Sequence, residues 1–203
     1  YIRRAENGPA GAKWPLHPGE EMLTLADHIL DICENSIRAG ATLIEISIDE
    51  DTPKDLLTLI IRDNGHGMSQ EIQSKVLDPF YTTKTVRRVG LGLPLLKDAA
   101  ERAGGMFFLN SQENKGTTVT ATFGLSHLDR QPLGAINSII IILIIANSQV
   151  DFFYKHRHND RRLEMDTREI RKEIDDVPIN HPEVIKYIRG VIEEGVQNIE
   201  PEA

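Results

Sequence analysis

Cysteine is almost absent from this chain. Cys33 stands alone among 203 residues, so no disulfide can form within the chain, which suits a reducing compartment. Long apolar runs are absent too. The most hydrophobic stretch, from Ile139 to Ala146, falls far short of the roughly 20 residues that span a bilayer, and it reads as a buried helix or strand. Basic excess is missing: 23 Lys and Arg stand against 31 Asp and Glu, a formal net charge of −8. Such a balance repels a phosphate backbone, so broad nucleic-acid binding is excluded without a local basic patch. Lys84, Arg87 and Arg88 form a local basic cluster. No Walker-type lysine loop occurs, and the glycines lack dinucleotide-fold spacing. No secretory signal and no internal repeat is visible. A cytoplasmic protein away from membranes and nucleic acid is expected.

What is present begins with an apolar content of 40%, ordinary for a chain that buries a core. Residues 1–21 carry Gly, Pro, Ala and Arg with no apolar period and read as a flexible tail, with Met22 as a natural start. Leu25, Ile29, Ile32, Cys33 and Ile37 then recur at helical spacing up to Gly40, a residue suited to a left-handed cap. Two strands are predicted over 43–49 and 56–62, joined by a turn at Thr52-Pro53-Lys54-Asp55. A short helix follows Ser69, an N-cap, and a second long helix runs over 93–103 to Gly104-Gly105. Two more strands, 106–110 and 117–123, flank a turn at Asn114-Lys115-Gly116. Residues 126–146 predict a helix or two, 150–166 a charged hairpin turning at Asn159-Asp160, and 167–174 and 182–196 further helices. This order gives an α+β fold, a mixed sheet with helices on one face.

Four short motifs carry the chemistry. Asp31 and Asn35, one helical turn apart, project from one face. A carboxylate and an amide oxygen so placed suit Mg²⁺, and equally a solvated helix face. Asp63-Asn64-Gly65-His66-Gly67 follows a strand. Its glycines let backbone approach a flat ligand, and Asp63 can accept from an exocyclic amine; a plain strand-to-loop turn has the same composition. His66 reads as an exposed loop residue. Gly90-Leu91-Gly92 opens the second long helix, where amides and the helix dipole favour phosphate. Lys115-Gly116-Thr117-Thr118 opens the last core strand, alone no more than a hairpin turn.

The ordered set resembles the GHKL, or Bergerat-fold, ATP-binding domain of sensor histidine kinases, DNA gyrase B subunits, MutL proteins and heat-shock chaperone ATPases. "ENSIRAGATLIEISI" is similar to the MutL-type asparagine box, and "DPFYTTK" with "VGLGLPLL" resembles the phenylalanine and second glycine boxes of histidine kinases. The resemblance implies a two-layer α/β sandwich that binds ATP. Asn35 would contact Mg²⁺ on the triphosphate, and Asp63 the adenine amine, supported by Thr118. Gly65 and Gly67 would line the adenine pocket, Gly90, Leu91 and Gly92 would lie beneath the phosphates, and Phe80 and Tyr81 would pack near the lid. Lys84, Arg87 or Arg88 would neutralise phosphate charge.

Asp31 stands where ATP-hydrolysing members place a Glu general base, and its shorter reach leaves hydrolysis unimplied. The expected organisation is a tail (1–21), a histidine-kinase-like ATP-binding domain (22–125) and a small α/β extension (126–203) that docks a partner. Only the tail precedes the asparagine-box helix, so a phosphoacceptor is expected on another chain, and His28 is read as structural or solvent-facing. His156 and His158 would share one strand face, as a weak metal site or a surface hairpin rich in His and Arg. The leading expectation is a regulatory ATP-binding protein acting as a kinase in trans. A slow ATP-gated ATPase, or a non-catalytic subunit of a hydrogenase-type redox complex, whose extensions the C-terminal segment resembles, are the alternatives. Unidentified protein partners are expected, a second copy of the chain among them.

Overall fold

A computed structural model describes residues 24–78 and 92–199. Helix α1 (Leu25–Arg38) starts on a capping box. Thr24 Oγ1 accepts from the Asp27 amide, and the Asp27 carboxylate accepts from the Thr24 amide at 3.2 Å. Two of the amides left over at a helix start are satisfied in this way. Gly40, at φ +73°, turns the chain out of α1 into β1 (Leu43–Asp51), which pairs antiparallel with β2 (Leu56–Asp63). A short α2 (Gln70–Lys75) follows, capped by Ser69 as predicted. After it come α3 (Gly92–Arg102), β3 (Phe107–Gln112) and β4 (Gly116–Gly124). Residues 126–146 yield one helix, α4 (Ile136–Ala146). Pro132 and Gly134 stand in the stretch before it and keep that stretch from continuing as helix.

The predicted hairpin is present as β5 (Asp151–His158) and β6 (Arg161–Asp166), with Asn159 in the left-handed region at φ +53°. It leads into α5 (Thr167–Glu173) and α6 (Pro182–Ile199). The strands form one six-stranded sheet in the order β3-β4-β2-β1-β5-β6, in which β5 runs parallel to β1. The segment after residue 125 therefore extends the same sheet.

Strand alternation explains the layering. Ile44, Ile46 and Ile48 of β1, Leu57, Leu59 and Ile61 of β2, and Phe152 and Tyr154 of β5 are buried. They meet buried residues of α1, α3, α4 and α6 in one core. The intervening positions, such as Ser47, Thr118 and Lys155, are half-exposed on the other face. This is the expected α+β arrangement, with helices on one face of a mixed sheet.

Candidate functional site

The end of β2 presents Asp63, whose residue is 8% exposed. A carboxylate so buried needs hydrogen-bond donors, and three supply them. Asp63 Oδ1 accepts from the Gly65 amide at 2.9 Å and the Thr117 amide at 3.3 Å, and Oδ2 accepts from Ser36 Oγ at 2.7 Å. A carboxylate offers about four lone-pair positions, so capacity remains for one further donor.

Ser36 was not read from the sequence as a site residue. The signal was present, since Ser36 falls on the same helical stripe as Ile29, Ile32 and Cys33, and a hydroxyl on a buried stripe requires a partner. Thr117, and not Thr118, makes the contact from β4. The register pairs Asp63 with Thr117 and Arg62 with Thr118, so alternation sends the Thr118 side chain to the opposite face of the sheet. The expected support of Asp63 by Thr118 is corrected on that ground.

The loop after Asp63 is pinned at both ends. Asn64 Oδ1 accepts from the Thr42 and Leu43 amides at 2.8 and 2.9 Å, and its Nδ2 donates to Thr42 Oγ1. Ser111 Oγ accepts from the Met68 amide at 2.8 Å. Gly67 has φ +65°, and a Cβ there would lie 2.0 Å from the Gln112 carbonyl oxygen, so no side chain fits. His66 is exposed, as expected, and its Nδ1 lies 2.7 Å from the Gly67 carbonyl.

Helix α1 carries Asp31 and Asn35 on one face, with Asn35 Nδ2 donating to Asp31 Oδ2 at 3.1 Å. Asn35 Oδ1 accepts from Arg38 Nη2 at 2.6 Å. Gly92, the first residue of α3, packs directly on Asp31, where a Cβ would come within 1.7 Å of Oδ2. Thus α1 and the start of α3 meet through a glycine and a carboxylate. Phe80, Tyr81, Lys84, Arg87, Arg88, Gly90 and Leu91 lie outside the described residues.

The histidines have other work. His28 is buried, with Nε2 on Gln131 Oε1 at 2.9 Å. Burial lowers its pKa, opposed by the Gln131 bond and by the charges of Asp27 and Asp31. His156 is also buried, which corrects the reading of a surface hairpin pair. Alternation aligns it with Phe152 and Tyr154 beneath the helices. Its Nε2 lies 2.8 Å from Glu50 Oε1, and its Nδ1 3.2 Å from the Tyr154 hydroxyl. The hydrogen bond from His156 holds the Glu50 carboxyl below the usual range. His158 bonds Thr52 instead, at 3.2 Å. Among the described residues, no group of three or more His, Cys, Asp or Glu is arranged to hold a metal, and no helix is long and apolar enough to cross a membrane.

Residues 22–127 match the family described as histidine kinase-, DNA gyrase B-, and HSP90-like ATPases. The chain is similar to the sensor histidine kinase WalK of Bacillus subtilis (strain 168), 34% identical over 84 residues, which cover 39% of this chain and 14% of that protein. It is also similar to the sensor histidine kinase CpxA of Escherichia coli (strain K12), 33% identical over 104 residues, 49% of this chain and 22% of that protein. The chain thus spans less than a quarter of either relative. A crystal structure of the N-terminal domain of a DNA repair protein shares the fold with a TM-score of 0.51 at 17% identity, over 72% of this chain and 54% of that one.

Proposed function

Because the chain belongs to the histidine kinase-, DNA gyrase B-, and HSP90-like ATPase family, we propose that it binds ATP with Mg²⁺ at the site built around Asp63 and serves phosphoryl transfer to a protein partner. The observation that carries this reading is the buried Asp63 carboxylate. Three donors from α1, the glycine loop and β4 fix its orientation, and its remaining acceptor capacity suits the exocyclic amine of adenine. Gly65 and Gly67 let the adjoining loop pack closely, Gly65 against Ala39 and Asp63 and Gly67 against Gln112 and Gly116, which holds the loop beside the proposed adenine position. Asn35, on α1, would offer its amide oxygen to Mg²⁺ once the Arg38 guanidinium it accepts from turns away, the cation keeping most of its ligands as water and phosphate oxygens. Gly92 with Gly90 and Leu91, and Lys84 beside them, would lie along the phosphates. ATP supplies the phosphoryl group when bound; the residues of this chain bind and orient it.

The acceptor is proposed to lie outside the nucleotide domain. His28, the one histidine of α1, is 1% exposed and bonded to Gln131, so it presents no ring nitrogen to a phosphoryl group. A second reading, slow hydrolysis, would draw on Asp31, but its Oδ2 already accepts from Asn35 and abuts Gly92. With one oxygen so engaged and a shorter reach than glutamate, Asp31 would be a weak base, and turnover is expected to be weak. Residues 126–203 are proposed as the partner-docking part of the chain.

Titration calorimetry with Mg²⁺–ATP tests the site. Asp63→Asn turns an acceptor toward adenine into a mixed donor and acceptor, at about 1.5–3 kcal/mol for a hydrogen bond to a charged group. Affinity should fall roughly ten- to a hundred-fold with the circular-dichroism spectrum unchanged. Equal affinity in wild type and variant would remove adenine from this position. Transfer of labelled phosphate from ATP to a co-purifying protein, without label on His28, tests the second half of the reading.

A further inference from the structure

Strand β6 lies at one margin of the sheet, and its outer side is open. The Asp151 amide donates to the Thr42 carbonyl and the Asn159 amide to the Glu50 carbonyl, so the odd positions along β5 bond toward β1. The even positions, Tyr154, His156 and His158, bond toward Met165, Leu163 and Arg161 of β6. The amides and carbonyls of Arg162 and Glu164 therefore point away from the sheet, and among the described residues no hydrogen-bond partner meets them. Such an edge is a template for another backbone. A cleft of about 400 Å³ adjoins it, bounded by β6, α5 and α6. It touches Glu164 and Asp166, on one face of the sheet, and Met165, on the other, so it runs around the edge. Phe153, Met165, Ile170 and Val191 form its apolar part, beside the ring of Tyr187, a residue 56% exposed.

We propose that the outer edge of β6 and this cleft together bind an extended, basic segment of a partner protein, added to the sheet beside β6. The free edge calls for an extended backbone, which would pair with Arg162 and Glu164. The cleft selects the side chains. Every charged residue lining it is acidic: Glu164, Asp166, Glu169 and Glu173. Lys155, Arg168 and Lys172 pair with the first three, as exposed pairs worth little in water, and Glu173 has no ion pair among the described residues. A lysine or arginine of the segment would lay its apolar stem along Met165, Ile170 and Val191 and reach these carboxylates with its charged end. The rings of Phe153 and Tyr187 favour the same cation. An acidic segment would be repelled by the four carboxylates and by the net charge of −8 behind them. The proposal rests on the reading of residues 126–203 as the docking part of the chain and requires nothing of the nucleotide site.

The probe is a short fluorescein-labelled peptide of alternating lysine and valine, set against one of alternating glutamate and valine. Fluorescence polarisation and amide hydrogen exchange are read on the full chain without nucleotide. The lysine peptide should bind and slow exchange at Arg162 and Glu164, and the glutamate peptide should do neither. Glu173→Lys should weaken binding about ten-fold. Glu101→Lys makes the same change of charge at an exposed position of α3 and should leave binding within error. Arg162→Pro removes an outward donor, which an edge strand tolerates, and should also weaken binding although the chain becomes more acidic. Circular dichroism and Mg²⁺–ATP affinity should be unchanged in all three. Equal losses in Glu101→Lys and Glu173→Lys, equal binding of the two peptides, or unaltered exchange at Arg162 and Glu164 would each overturn the proposal. Protection confined to another part of residues 126–203 would overturn it and leave the docking reading standing. Slow exchange along β6 without peptide, in a chain of doubled mass, would assign the edge to a second copy and overturn it as well.

Discussion

Asp63 owes its position to donors far apart in sequence, and the energetics of the site divide among them. Ser36 contributes a side-chain hydroxyl, whereas Thr117 contributes its backbone amide. Removing the hydroxyl in Ser36→Ala leaves one carboxylate oxygen short of a partner, at about 1 kcal/mol and up to 3 kcal/mol for a charged acceptor. ATP affinity should fall about 5- to 100-fold by calorimetry. Thr118→Val, on the opposite face of the sheet, should leave affinity within error of wild type; a loss matching that of Ser36→Ala would contradict the observed register. Asn35 acts at a different place. Asn35→Ala deletes the amide oxygen that accepts from Arg38 and is proposed to reach Mg²⁺, so affinity for Mg²⁺–ATP should drop about ten-fold or more, while metal-free ATP loses little. Equal losses with and without Mg²⁺ would show that Asn35 does not act through the metal.

At the scale of elements, α1 links the site to the core. It buries Leu25, Ile29, Ile32 and Cys33 on one side and carries Asp31 and Asn35 on another. Anything that frays its start loosens the platform for both. Thr24→Ala removes the reciprocal cap and should cost about 0.5–2 kcal/mol, read as a lower urea midpoint with an unchanged slope. Nucleotide affinity should change little, because the cap lies almost two turns before Asp31. Helix α3 starts on the other side of the same site, and its first residue must be small because Asp31 occupies the space a Cβ would fill. The hairpin of β5 and β6 lies beyond β1, away from Asp63, and broadens the sheet without entering the site.

For the molecule as a whole, the buried His28 and the Glu50 carboxyl set the response to acid. His28 is buried in its neutral form and its pKa is lowered, so the unfolded chain binds a proton more readily. Stability therefore rises with pH through the window below about 6.5, the ordinary histidine value, and is lost as pH falls through it. Glu50 acts lower. Its pKa is depressed by His156, so its contribution is present above the ordinary carboxylate range, about 4.3, and disappears as pH falls through the folded value. Urea midpoints measured from pH 7.5 to 5 should decline in the wild type, and His28→Gln should flatten that decline. An unaltered slope in the variant would remove His28 from the acid response.

Much of this was legible in the residues. Apolar periodicity over Leu25 to Ile37 dictates α1, alternation dictates the core strands, and Gly40, Ser69, Asn114 and Asn159 mark their own turns and caps, because each rests on contacts within a few residues. The order of the four boxes carries the family. The structure alone decided what depends on register and on which face a strand turns inward. It chose Thr117 over Thr118 and gave Ser36 its carboxylate. It took His156 into the core beside Glu50, and it ran β5 parallel to β1 so that the last third of the chain joined the same sheet. It also left Ile142 and Ile145 uncovered on a helix whose composition reads as wholly buried. Local sequence fixes an element through short-range backbone and side-chain preferences, whereas pairing across tens of residues is set by how all the apolar faces are buried together.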